Sequence, residues 1–167
     1  MFVSAGSRVG RGVYDQRAPF STKIKRIISD ESLTASTWTT AIWDTLVSDD
    51  TKCSWNPNTP KIITPPPGAV YVQISVAAGF QTNLTTATAT AICRNGTDNI
   101  LNAIRMDLRG AGFEGNQTYV TDYVDIAPGD FFYLMVLITS TFNVNNNFSG
   151  VQFPFVGSSM EFDWYFQ

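Results

Sequence analysis

Apolar and polar residues alternate along much of this chain, with the spacing of two that is typical of β-strands. The clearest example is the final segment, where the large rings of Phe162, Trp164 and Phe166 share one face and Tyr165 lies on the other. Three rings on one face need a core, since an exposed terminus could not hide them. The last strand is therefore predicted to lie inside a sheet and to complete a compact β-sandwich.

The same alternation predicts about nine strands and no helix of convincing length. Short turns separate the strands, and Asn95-Gly96 has the chemistry of a type I′ hairpin turn. Residues 131–138 are apolar without alternation, which predicts that both faces are covered, and 110–115 is predicted to be a glycine-rich loop. The predicted strands span 20–28, 38–47, 61–64, 69–78, 86–93, 100–108, 118–126, 131–138 and 160–166. Short strands without helices between them predict an all-β fold, an antiparallel jelly-roll β-sandwich.

The length of 167 residues suits one domain with a sizeable core. Residues 1–17 contain Gly6, Gly10 and Gly12 and are predicted to form an extended arm, while residues 18–167 form the sandwich domain. No apolar run reaches the roughly 18 residues of a membrane-spanning helix, so no membrane partner is expected. The first residues also lack the apolar stretch of a signal peptide, so we expect synthesis in the cytoplasm.

Charge is distributed unevenly along the chain. Residues 1–29 hold six basic residues against one acidic residue, a net charge of +5. The remaining residues hold five basic residues against thirteen acidic ones, a net charge of −8, which leaves −3 for the whole chain. A basic arm on an acidic body predicts that the arm contacts nucleic acid, a membrane surface or an acidic protein.

Little in the sequence indicates catalysis. Histidine is absent, which excludes Ser-His-Asp and Cys-His catalytic systems. Cys53 and Cys93 are predicted to be free buried thiols, because cytoplasmic synthesis disfavours disulfides. The glycines of 110–115 match a dinucleotide-binding spacing, but strand-forming residues follow where that motif needs a helix. No catalytic, cofactor or metal site is therefore predicted, and a carboxylate pair facing across a cleft stays open as the enzymatic alternative.

Five short motifs occur in order along the chain. They are Ala-Pro-Phe-Ser at 18–21, Ile-Trp-Asp-Thr at 42–45, Pro-Gly-Ala-Val-Tyr-Val at 67–72, Asp-Ile-Ala-Pro-Gly-Asp at 125–130 and the aromatic strand at 162–166. Their order and spacing resemble the jelly roll of the C1q/TNF-like family over roughly residues 18–167. Tyr71 stands one residue away from its place in the family motif.

Two further segments resemble, more specifically, the versions of this domain found in tailed-phage virion proteins. They are Trp55-Asn56-Pro57, which leads to Ile63-Thr64, and the closing segment 159–164. The resemblance implies a homotrimer whose inner sheet, including the last strand, packs around a threefold axis.

Tyrosines are predicted to lie near that axis. If the aliphatic residues of 118–126 face the core, Tyr119 and Tyr123 face outward, and Tyr165 likewise lies opposite the rings of its own strand. A tyrosine ring can be buried at an interface while its hydroxyl finds a partner. The aliphatic residues assigned to the core face are Val120, Val124 and Ile126.

The expected function is that of a non-enzymatic structural virion protein, a trimeric capsid decoration (cement) protein that stabilises a phage head. Its partners are further copies of the chain and the major capsid protein or another virion protein, and no nucleic acid is expected. The expected location is the capsid surface of the virion. The arm residues expected to contact the capsid are Arg8, Arg11, Tyr14 and Arg17.

A second hypothesis is a receptor-binding tip of a phage fibre that recognises a host glycan or surface protein. The candidate loops are 49–60, 110–117 and 143–150, where aromatic and asparagine side chains suit sugar binding. Oxygen-bearing side chains in these loops could ligate calcium, but their spacing matches no calcium-binding motif, so calcium binding is left open. They are those of Asp49, Asp50, Asn56 and Asn58.

Overall fold

A computed structural model of the chain describes residues 19–25, 31–33, 36–50, 55–82, 84–95, 99–108, 113–138, 142–143, 151–153 and 158–166. These residues form thirteen β-strands in two sheets, and every strand pair is antiparallel. Within the described part of the chain, no helix is long and apolar enough to cross a membrane.

The two sheets divide the strands into groups of eight and five. The eight-stranded sheet contains β1 (Phe20–Lys25), β2 (Glu31–Leu33), β4 (Thr45–Asp49), β5 (Ala69–Thr82), β8 (Phe113–Val120), β9 (Val124–Asp125), β12 (Val151–Phe153) and β13 (Ser159–Phe166). The five-stranded sheet contains β3 (Thr39–Thr40), β6 (Leu84–Arg94), β7 (Asn99–Leu108), β10 (Phe132–Ile138) and β11 (Phe142–Asn143).

β5 is the central strand of the larger sheet. One of its edges pairs with β13 and β12, and the other pairs with β8 and β9. Beyond β13 follow β1 and β4, and β2 lies beside β12. In the smaller sheet the order is β3, β10, β6 and β7, with β11 also paired to β6. The all-β antiparallel sandwich that the sequence predicts is confirmed.

The closing strand β13 lies between β1 and β5, as the alternating rings predict. Phe162 and Trp164 are fully buried and stack with their ring centroids 5.3 Å apart, and Phe132 of the opposite sheet lies 6.2 Å from each of them. The indole N–H of Trp164 donates to Thr22 Oγ1 at 2.9 Å, so this buried donor is satisfied. Phe166, at the end of the strand, packs against the same core but is only partly buried.

Strand β10 is covered on both faces, as its unbroken apolar run predicts. Leu134 and Val136 belong to the main core between the sheets. Tyr133 faces the other way and packs with Ala91 and Cys93 in a second apolar cluster on the outer side of the five-stranded sheet. Cys93 is a free, buried thiol, whereas Cys53 lies outside the described residues.

A buried polar network joins the two sheets through the threonines of β6. Gln117 accepts a hydrogen bond from Thr90 Oγ1 at 2.5 Å and donates to Thr88 Oγ1 at 3.1 Å. Thr88 and Thr90 of β6 thus face the core, whereas Ala91 faces the outer side of the sheet. Because all three polar side chains are buried and hydrogen-bonded, the network holds the sheets together without a desolvation penalty for an unpaired group.

Positive φ angles occur at the tight turns. Asn95 has φ of 60°, and β6 and β7 form the predicted hairpin, in which Arg94 pairs with Asn99. Gly68 and Gly129 have φ of 84° and 87°, which other residues adopt only with strain.

Four predicted elements were wrong in their extent, and one of them is 118–126, which the structure divides between β8, ending at Val120, and β9, Val124–Asp125. Residues 38–47 form two strands in different sheets, because the chain crosses between the sheets at 41–44 while buried and half-buried side chains keep alternating. Residues 61–64 make only isolated bridges, through Ile63 to Trp55 and Phe132. Residues 113–115, predicted as loop, belong to β8 and pair with β5.

Candidate interaction surface

The outer face of the eight-stranded sheet presents an aromatic and charged surface around β13. We call it the outer sheet face. Alternation along the strands turns every second side chain away from the core, and the cross-strand register places these side chains side by side. The outer sheet face consists of Ser21, Lys23, Tyr71, Gln73, Tyr123, Glu161, Asp163 and Tyr165.

Three tyrosines form the aromatic half of this face. Tyr165 pairs across the strands with Tyr71, and the ring of Tyr123 meets that of Tyr165 edge to face, with centroids 5.3 Å apart. Although Tyr165 points away from the core, only 8% of its surface is exposed. The neighbouring rings therefore hold it in a fixed position, which gives the face a rigid apolar centre.

Charged groups form the other half. Lys23 Nζ lies 2.8 Å from Glu161 Oε2, and Ser21 Oγ donates to Glu161 Oε1 at 3.3 Å. Asp163 stands next to this pair. Burial and the neighbouring Glu161 carboxylate raise its pKa above the usual value, and Ser21 and Lys23 offset part of that rise.

Tyr119 does not lie on the outer sheet face, so the predicted outward orientation of this residue was wrong. Its Cα partner is Val76 of the core, and its ring packs against the core cluster. Val120, predicted to face the core, is 49% exposed. Val124 and Ile126 pack against the core, and Tyr123 faces outward, as predicted.

A β-bulge explains the reversal at Tyr119. From Ser75 to Val72 strand β5 advances three residues, while its partner advances four, from Val120 to Val124. The extra residue shifts the alternation by one, so a single alternating pattern cannot describe both strands. Thr121 anchors the bulge, since its hydroxyl accepts the Ile74 N–H at 3.0 Å and its own N–H donates to the Ile74 carbonyl at 2.9 Å.

Burial changes the acid–base character of Tyr119. Desolvation raises the pKa of its hydroxyl to about 12, with a small opposing effect from the nearby Thr90. The hydroxyl forms no well-aligned hydrogen bond with the described residues, and Thr90 donates its proton to Gln117. Tyr119 therefore serves the core rather than a surface.

Two concave regions lie away from the outer sheet face. A cleft of about 290 Å³ lies between the turns 64–69 and 126–130 at one end of the sandwich. A smaller depression of about 120 Å³ on the outer side of the five-stranded sheet is bordered by Trp38, Ile100 and Met135, above Ala91 and Cys93. Within the ranges that the structure describes, no three His, Cys, Asp or Glu side chains are grouped so that they could hold a metal ion.

The arm residues assigned to capsid contact, Arg8, Arg11, Tyr14 and Arg17, lie outside the described residues. Of the loops proposed for receptor binding, the structure describes 49–50 and 55–60, where Asn56 Oδ1 accepts the Asn58 N–H at 2.9 Å. Residues 113–117 of the second candidate loop belong instead to strand β8, so the prediction of a loop there was wrong. Most of 143–150 is outside the described residues.

Comparison with known proteins gives a fold but no close relative. No protein-family model matches the chain, and no curated protein matches it. Among solved structures it is similar to the globular domain of zebrafish complement 1qA protein, with a TM-score of 0.53 and 7% sequence identity over 88% of this chain and 96% of that one. At this identity the likeness concerns architecture alone, and the chain has a C1q-like antiparallel jelly-roll fold, as the sequence motifs indicate.

Proposed function

We propose that the protein is a non-enzymatic structural protein of a phage virion, a homotrimeric capsid decoration protein. In this proposal the outer sheet face packs around a threefold axis, and the jelly roll projects from the capsid surface. The basic arm, with Arg8, Arg11, Tyr14 and Arg17, contacts the major capsid protein or another virion protein. By binding only the assembled shell, such a protein stabilises it by mass action.

The observation that carries this proposal is the composition of the outer sheet face. Tyrosine is enriched in protein interfaces, where an apolar ring is buried and a polar rim surrounds it. Tyr71, Tyr123 and Tyr165 supply such a centre, and the Lys23–Glu161 ion pair supplies a rim. Because Tyr119 belongs to the core, Tyr71 takes its place in the proposed interface.

The assignment to a virion rests on different support. The segments 55–57 and 159–164 resemble tailed-phage versions of this domain, and a basic arm on an acidic body suits attachment to another protein surface. Both features come from the sequence, and the basic arm is independent of the outer sheet face, whereas the segment 159–164 includes Glu161 and Asp163 of that face.

Sedimentation velocity tests the trimer directly. The wild-type chain is expected at about 55 kDa, three times the 18.4 kDa of one chain. Tyr123→Arg puts a charge into the proposed interface and is expected to give monomers. Tyr123→Ser removes the ring from the same position without adding a charge. Ala103→Arg is the control: it adds the same charge at an exposed site on the other sheet and should leave the trimer intact. A monomeric wild type, or a trimeric Tyr123→Arg variant, would overturn the proposed interface.

The receptor-binding tip remains the second candidate, favoured by the loop 55–60, whose residues 56–59 are exposed polar residues and a proline. Screening the purified protein on a glycan array distinguishes the two. Specific glycan binding that Asn56→Ala or Asn58→Ala removes would support a receptor-binding role.

A further inference from the structure

The end of the sandwich where the described chain begins also carries the cleft between two proline-containing turns. Strand β1 starts at Phe20, which pairs with Trp164 near the end of β13. At the same end β5 begins, directly after the turn 64–69, and the turn 126–130 follows β9. The described chain therefore begins at the same end of the sandwich as this cleft.

The walls of the cleft define what could bind there. Four of its lining residues are Pro65, Pro66, Pro67 and Pro128, which have apolar rings and no backbone N–H. The N–H groups of Ala69, Ala127 and Asp130 are already used within the two turns. The cleft is thus lined by apolar rings and by the acidic Asp130, and three of its N–H groups are already used, which suits an aromatic ring and disfavours an acidic group.

The rings of Phe20 and Phe166 form an apolar surface between the start of β1 and the cleft. Phe20 is 50% exposed, and its ring meets that of Phe166 edge to face with centroids 5.3 Å apart. Phe166 reaches the rim of the cleft, since a Cβ on Gly68 would lie 3.8 Å from Phe166 Cδ1. A segment that crosses from Phe20 to the cleft would cover these exposed rings.

The length of the preceding segment fits this path. From β1 across β13 to β5 is two strand spacings, about 10 Å, and β9 lies about 5 Å further. An extended chain covers about 3.3 Å per residue, so the path needs roughly three to five residues. Arg17 is the third residue before Phe20 and Tyr14 the sixth, which places both within reach.

The charges near the cleft also favour the basic segment that precedes Phe20. Asp125 is exposed at the end of β9, and Asp130 lies in the cleft wall, where Arg94 is 3.6 Å from its carboxylate. Two carboxylates against one guanidinium leave a net negative charge at the cleft. The cationic Arg17 is therefore attracted to this end of the sandwich.

We propose that residues 14–18 of the same chain bind in this cleft, with the Tyr14 ring between the two proline-containing turns and Arg17 beside Asp125. The cleft then fixes the direction in which the arm leaves the sandwich. This removes Tyr14 and Arg17 from the capsid contact proposed above, and it leaves the part of the arm before Tyr14, with Arg8 and Arg11, to reach a partner. This inference does not depend on the trimer or on a capsid.

Hydrogen exchange of the full-length protein tests whether residues 14–18 bind in the cleft. In the wild type, the amides of 14–18 should exchange at least about tenfold more slowly than in an unstructured peptide. Ala127→Trp fills the cleft from an exposed position and should abolish this protection, as should Tyr14→Ser. Ala103→Trp, an equally large change on the exposed face of the other sheet, should leave it intact.

Three outcomes would overturn the proposal. One is unprotected exchange of 14–18 in the wild type, and another is protection that persists in Ala127→Trp while the variant keeps the wild-type melting temperature. The third is protection that appears only as the protein concentration is raised, which would assign the cleft to the arm of another copy. The first two results leave the sedimentation test of the trimer unaffected, whereas the third would itself indicate association between copies.

Discussion

The carboxylate of Asp163 lies in surroundings that favour its protonated form. It is partly buried on the outer sheet face beside Glu161, and Lys23 is engaged with Glu161 at 2.8 Å. The other polar groups around it are Ser21 and the cross-strand partner Gln73. The pKa of Asp163 is raised because its carboxylate is partly buried and lies beside that of Glu161, with which it shares Lys23.

A pH dependence of stability follows from this shift. With its pKa raised in the folded state, Asp163 holds a proton that the unfolded chain has already lost, so its contribution to the free energy of unfolding falls as pH rises from about 4 through the folded pKa. Asp163→Asn should remove this dependence and be more stable than the wild type at neutral pH. Urea unfolding of both proteins across pH 3 to 8 measures the difference.

Asp107→Asn, which removes one exposed carboxylate from the five-stranded sheet, controls for the loss of a negative charge. A difference between the wild type and Asp163→Asn that stays constant over the whole pH range would contradict the prediction.

At the scale of elements, the sequence predicts those strands whose hydrophobic pattern, alternating or continuous, is unbroken. The closing strand is confirmed because its alternating rings present one face to the core, and β10 is confirmed because its unbroken apolar run is covered on both faces. The faces of Tyr119 and Val120 could not be predicted from the residues that follow them, since one inserted residue at the bulge reverses the order of faces and leaves no mark in composition. The split at 41–44 was missed for a related reason, as burial still alternates while the chain changes sheets.

The candidate surface was predicted only in part, for the same physical reason. Tyr123 and Tyr165 belong to elements whose faces were assigned correctly, and their ring contact follows from the register of β9, β5 and β13. Tyr71 was missed because its place beside Tyr165 depends on a cross-strand register that one strand's sequence does not specify.

The bulge predicts that the same substitution lowers the free energy of unfolding by different amounts at Val120 and Val124, which simple alternation places on one face. Val120→Thr adds a hydroxyl at an exposed site and should change the free energy of unfolding by less than about 0.5 kcal/mol. Val124→Thr places the same hydroxyl against the core, where it should cost about 1–2 kcal/mol. Denaturant unfolding of the two variants, which differ from the wild type by the same small change, makes the comparison. Equal costs at both positions would show that the two valines share a face.

At the scale of the whole molecule, the two attachment functions that we propose depend on different parts of the chain. The outer sheet face surrounds the C-terminal strand β13, in the interior of the eight-stranded sheet. The arm begins beside Phe20, at the end of the sandwich that carries the cleft. Self-association and attachment to a partner can therefore be altered independently, because they depend on different residues.

This separation allows a test of capsid attachment that spares the fold. Arg8→Ala combined with Arg11→Ala removes two charges from the part of the arm that precedes Tyr14. We expect weaker binding to capsids that lack the protein, and a wild-type affinity that falls as salt rises, because exposed charges are screened over about 10 Å at 0.1 M. Co-sedimentation with such capsids measures binding, and sedimentation velocity confirms that the oligomer is unchanged. Lys61→Ala, at an exposed site on the sandwich, is the control for loss of positive charge. Undiminished decoration by the Arg8/Arg11 variant, or by a chain that lacks residues 1–17, would show that the arm does not attach the protein to the shell.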